Sequence, residues 1–179
     1  METSDTDLER LLARAAGGDA EAVGHLLAKY RPRLQRMVAV RLDPRVRGRV
    51  DESDVVQEAC LEASQRLTEY TEDRSVPFFV WLRFLTMQQL MASHRRHIGV
   101  QLRDVTREVP LWSQEIAPAS SECLAAELVG SHSTPSKVVQ REELRAQLQE
   151  ALERMDATDR EVLAMRHYEQ LSNIETAHV

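Results

Sequence analysis

Asp54, Gln57, Glu58 and Gln65 fall on one side of a helical repeat running from Asp51 to Tyr70, and Leu61 lies among them. Carboxylates and amides around one apolar side chain make no nucleophile or proton relay at that spacing. They suit either a docking face for a basic partner or an ordinary solvated face. His94 and His97 stand three apart, a spacing open to a metal ion, but Arg95 and Arg96 between and beside them repel a cation. That cluster points instead to a basic face turned to DNA or solvent. The chain has no Gly-rich phosphate loop, no His-Glu-x-x-His and no cysteine pair at zinc spacing, so it predicts no cofactor and no metal.

A second acidic set, Glu142, Glu143, Glu150, Glu153 and Asp156, resembles the carboxylate rows of all-α, magnesium-dependent nucleotide pyrophosphatases. Only one such row is visible, and acidic exposed helix faces are common. Charge is also sorted along the chain. Residues 29–49 carry eight basic side chains and one acid, residues 51–73 one basic and eight acids, and residues 74–107 six basic and one acid. The formal net charge of −6 hides this alternation. Two basic blocks flanking an acidic helix imply two partners of opposite sign.

The elements that position these residues read as all-α. Apolar residues are 42% of the chain and aromatics 4%, with six Gly and six Pro, and no alternating β-branched run appears. Asp5–Ala16 predicts a first helix stopped by Gly17-Gly18. Asp19 caps a second, in which Pro32 is expected to cause a kink or a split. Arg31, Arg33, Arg36 and Arg41 are expected on its exposed side. The Asp51–Tyr70 helix carries an inward stripe of Val56, Ala59, Cys60, Ala63, Leu67 and Tyr70. After a polar loop, Ser75 and Pro77 start a helix with Phe78, Trp81, Leu82 and Leu85 inward and a polar stripe of Arg83, Thr86, His94 and His97.

Residues 108–134, with four acids and no Lys or Arg, read as a linker holding a short helical piece at Glu122–Val129. Beyond Thr134-Pro135 come a longer helix and two capping boxes, Thr158 with Glu161 and Ser172 with Glu175. These predict the opening of a helix-turn-helix that lacks its recognition helix. Residues 135–179 are therefore expected to be loosely packed, with Val162, Leu163, Ile174 and Val179 short of cover. No secretory signal or membrane span is legible, and Cys60 and Cys123 read as reduced thiols, so the expected location is cytoplasmic.

Three stretches resemble the extracytoplasmic-function (ECF) RNA polymerase sigma factors. Asp54-Val-Val-Gln-Glu58 with Leu61 looks like region 2.2, which docks on the polymerase clamp helices. Phe78-x-x-Trp81-Leu82-x-x-Leu85 with Arg95-Arg96 looks like regions 2.3 and 2.4, which melt and read the −10 element. Met155-Asp-x-x-Asp-Arg160-Glu-Val-Leu and Leu171-Ser-x-x-Glu175-x-Ala look like the start of region 4. The resemblance implies a C-terminally incomplete sigma factor, not an enzyme, with region 2 over 1–107, a linker over 108–134 and a partial region 4 over 135–179. It implies polymerase binding by Asp54, Gln57, Glu58 and Leu61. DNA binding would fall to Tyr70, Arg74, Ser75, Arg83, Gln88, His94, Arg95 and Arg96. Its partners would be core RNA polymerase, promoter DNA and an anti-sigma factor. The chain departs from the family at Cys60, usually aromatic, and at Gln88 and Ala92, usually Asn and Asp. The alternatives are the pyrophosphatase and an interaction module without a DNA role.

Overall fold

A computed structural model describes residues 2–42, 49–98, 118–130 and 138–179, and among them every regular element is a helix. Helices α1 (Glu2–Ala16) and α2 (Ala20–Ala39) meet at Gly17-Gly18, where Gly18 takes φ 86°, a conformation open to glycine. Asp19 caps α2 by accepting from the backbone N–H groups of Glu21 and Ala22 at 3.0 and 3.1 Å. Pro32 neither ends nor splits α2. Its ring lies on the exposed side, so the carbonyl one turn back that loses its donor is left toward water.

Helix α3 (Glu52–Glu72) starts at Asp51, whose side chain accepts from Ser53 N–H at 2.7 Å. It packs on α4 (Phe78–Ile98) and α2 through Val56, Ala59, Ala63, Leu67 and Tyr70, as the stripe predicts. Helix α4 differs from its sequence reading. Its supposed polar stripe is buried at Arg83, Thr86 and His94, and Leu90 beside it is fully covered. A helix covered on both faces belongs in the middle of a fold, and its apolar composition agrees. His97 lies outside the residues whose side chains are described. Tyr30, Tyr70, Phe78, Phe79 and Trp81 form an aromatic cluster between α2, α3 and α4, with the Tyr70 and Trp81 rings stacked at 4.8 Å.

Helix α5 (Ser121–Val129), inside the stretch read as a linker, is capped by Ser120 and packs on α6 (Val138–Arg154). Cys123, Leu124, Ala125, Leu152, Ala164 and Tyr168 form a second core that includes Val40 from the end of α2. Helix α7 (Ala157–His167) is capped by Asp156, not Thr158. Glu161, expected in a capping box, has turned to a buried arginine instead. Helix α8 (Asn173–Ala177) does carry the complete Ser172/Glu175 box. The expectation of loose packing over 135–179 fails: Met165 and Leu171 are buried in the core of α1–α4, and Val179 packs against it. Val162 and Ile174 remain exposed.

Candidate functional site

The acidic face of α3 is built as read. Asp54, Gln57 and Glu58 are exposed around Leu61, which is 61% exposed. The same helical period that drives Val56, Ala59 and Ala63 inward leaves these four on the outside. Glu58 pairs with Arg96 at 3.1 Å, so the acidic face and the basic end of α4 border one shallow cleft with Arg49.

The residues expected to contact DNA separate into two groups. Arg95 and Arg96 are exposed at the end of α4, and Arg74 and Ser75 are exposed in the loop before it. Arg74 reaches back to Glu9 of α1 at 2.6 Å. Gln88 is half-buried. Tyr70 is buried, as its place on the inward stripe predicts, and Arg83 and His94 are buried too, which corrects their placement on an open polar stripe. Tyr70 donates from its hydroxyl to the Val76 carbonyl at 3.1 Å, holding the loop against α3. Burial pushes its pKa up to about 12.

Arg83 belongs to a charged centre that the sequence did not reveal. Glu169, in the turn between α7 and α8, has no exposed side-chain surface. It accepts from Arg41 Nη1 at 2.7 Å and from Arg83 Nε at 2.6 Å. Arg41 also bonds Glu161 at 2.5 Å, and Glu161 accepts from the backbone N–H of Ala119. Burial alone would raise the Glu169 pKa, but Arg41 and Arg83 hold it below the usual carboxylate range. Burial likewise opposes the charge on Arg41, and Glu169 with Glu161 more than restores it.

Two further arginines grip the same turn by its backbone. Arg33 donates to the carbonyls of Glu169 and Gln170 at 2.8 and 3.0 Å, and Arg36 to that of Tyr168 at 2.8 Å. The Arg33 guanidinium lies 3.5 Å from the centre of the Phe79 ring. Gln170 takes φ 55°, the left-handed conformation that lets the turn present successive carbonyls. Arg33, Arg36 and Arg41 are therefore not surface decoration. Glu169 escaped sequence reading because an acid between helices looks like any turn residue. The only hint was its place between Tyr168 and Leu171, both buried.

The carboxylate row does not converge. Glu150 is exposed and pairs with Arg154, Glu153 accepts from Gln149, and Asp156 is used as a cap. Among the described residues no three His, Cys, Asp or Glu side chains come together to hold a metal.

The described residues thus form an all-α chain with an exposed acidic face beside a basic helix end. Residues 5–179 match the family model described as ECF sigma factor, and the chain belongs to that family. It is also similar to the ECF RNA polymerase sigma factor SigD of Mycobacterium tuberculosis and of Mycobacterium bovis. Each is 27% identical over 170 residues, which cover 95% of this chain and 72% of the relative. No solved structure matches. The protein is thus a sigma factor for DNA-templated transcription initiation. Its partners are core RNA polymerase and promoter DNA, and the family is often held in check by anti-sigma factors. No helix among the described residues is long and apolar enough to cross a membrane.

Proposed function

We infer that this sigma factor docks on core polymerase, at its clamp helices, through Asp54, Gln57, Glu58 and Leu61. Arg95 and Arg96, with Arg74 and Ser75 of the preceding loop, meet the promoter −10 strand. The observation that carries the reading is Leu61, 61% exposed between the exposed Gln57 and Glu58 on one side and Gln65 on the other. An apolar centre with a polar rim is the composition of a specific interface. On this reading residues 1–107 act as region 2, 108–134 as linker and 135–179 within region 4, in the cytoplasm. Gln88 is half-buried near the basic end, while Tyr70, Arg83 and His94 support the surface from within. Melting needs no fuel: flipping a base costs a few kcal/mol and stacking recovers about 1–3 kcal/mol per base.

Reversing two charges, D54K with E58K, leaves the buried stripe of α3 intact. The double variant is expected to keep its helical circular dichroism and lose capture of core polymerase in a pull-down. Undiminished capture would remove the docking role from this face.

A further inference from the structure

Within the basic block of residues 29–49, three of the described arginines turn inward rather than to solvent. Arg33, Arg36 and Arg41, together with Arg83 of α4, converge on the turn Tyr168–Leu171, which is remote from all four in sequence. At the centre sits one carboxylate in the fork of two desolvated guanidinium groups. Planar, multidentate donation to a fully charged acceptor is how arginines bind phosphate oxygens, so Glu169 occupies a place shaped for a phosphate.

We propose that Arg33, Arg36, Arg41 and Arg83 form a binding surface for the phosphate backbone of DNA, kept closed in the free chain by its own α7–α8 turn. Glu169 stands where a DNA phosphate enters. The proposal rests on the reading of the chain as a sigma factor that meets DNA, and goes beyond it by adding a second cationic surface and an internal competitor for it. The competition follows from burial. Withdrawing Glu169 alone takes the carboxylate from Arg83 and leaves Arg41 with Glu161 only, whereas exchanging it for a phosphate keeps both fully paired. DNA therefore binds the open arrangement and the turn binds the closed one, and the two exclude each other. Besides the arginines, the turn is held by Leu171 and Met165 in the core of α1–α4 and by Tyr168 in the second core with Val40.

The experiment uses the full chain without polymerase, a short labelled DNA duplex, and anisotropy titrations over a range of salt. E169Q is expected to bind at least about tenfold more tightly than the parent. Its plot of log affinity against log salt should steepen by about two units, since each phosphate newly contacted adds about 0.9. Unchanged affinity and slope would overturn the proposal. So would a gain that survives replacement of Arg36 and Arg41 by Gln in the E169Q background. Should E169Q lose its helical signal, R36C/Q170C decides instead, because the two native side chains meet at 3.3 Å. Joined by a short cleavable thiol cross-linker, that variant should bind DNA at least about tenfold more weakly than after cleavage. Equal binding before and after cleavage, or failure to cross-link, would overturn the closed contact. R95A/R96A and D54K/E58K test the underlying reading separately. If those behave as expected and E169Q does not, only the arginine surface falls.

Discussion

Replacing Glu169 by Gln removes one charge and almost no volume from a site where neither the Glu169 nor the Arg41 side chain has any exposure. The amide can still accept one hydrogen bond, but the remaining carboxylate, that of Glu161, bonds Arg41 and not Arg83. Breaking a buried pair by removing one partner costs about 3–5 kcal/mol. The bonds of the α7–α8 turn run to Arg33, Arg36, Arg41 and Arg83 and to none of α3, so this loss is expected to fall on local opening. A cost of about 3–5 kcal/mol is about two to nearly four decades in the opening constant. Hydrogen exchange resolves it by element. Amides of α7 should exchange about a hundredfold faster or more in E169Q, while those of Val55–Ala63 in α3 keep the parent's rates. A rise in α7 of less than about threefold would show that the carboxylate does not hold the turn, and the energetic argument would fail with it. A companion variant, E169L/R41M/R83M, replaces the charged group by apolar side chains of similar size and should restore slow exchange, as apolar swaps of whole buried ion clusters generally do.

The Tyr70 hydroxyl, whose pKa lies near 12 against about 10 unfolded, stabilises the fold below about pH 10 and loses that contribution as pH rises toward 12. Y70F should flatten that alkaline limb of a thermal-denaturation series and cost about 1 kcal/mol at neutral pH for the bond to Val76. L61S should weaken core polymerase binding roughly 5- to 30-fold by titration, because burying the exposed part of this leucine contributes about 1–2 kcal/mol. D51A removes the cap of α3 and should lower stability by about 1 kcal/mol in urea, with the slope of the transition unchanged. R95A and R96A should each lower the salt slope of promoter binding by holoenzyme by about one unit.

What the sequence made legible was whatever depends on neighbours three or four positions away. The inward stripe of α3, the Gly17-Gly18 stop and the Ser172/Glu175 box are local, and all stand in the structure. The misplacements have one origin. Arg41, Arg83 and Thr86 look like surface residues because a polar side chain on a helix normally faces water. Whether it does depends on a partner that periodicity cannot see. Glu169 lies 86 positions from Arg83. Glu161 failed to complete its capping box for the same reason: a buried Arg41 offers a carboxylate more than a backbone N–H at a helix end open to water. Cover for Met165, Leu171 and Val179 comes from the core of α1–α4, which periodicity within residues 135–179 cannot see.

The chemistry of the contact also limits how it can be opened. A depressed carboxylate pKa means that Glu169 contributes its full stabilisation above its unfolded value of about 4.3, and loses it only as pH falls through the lower folded value. Near neutral pH protonation therefore cannot release the turn. Salt is also a weak lever, because screening acts on exposed charges and these are not exposed. What remains is mass action by an anion that binds the open form, with an effect that grows as its concentration exceeds its dissociation constant. Free DNA at cellular dilution is a poor competitor for a tethered carboxylate. DNA held on polymerase is a much stronger one, because docking, proposed above to run through α3, turns the second encounter into an intramolecular event at an effective concentration in the millimolar range. Polymerase binding and exposure of the arginines are then coupled by proximity alone, with no strain transmitted through α3. It follows that a variant unable to dock, D54K/E58K, should leave the α7–α8 turn closed even with polymerase and promoter DNA both present. Slow α7 exchange in that mixture, against fast exchange for the parent, is the expected result; fast exchange in both would show that the turn opens by another route.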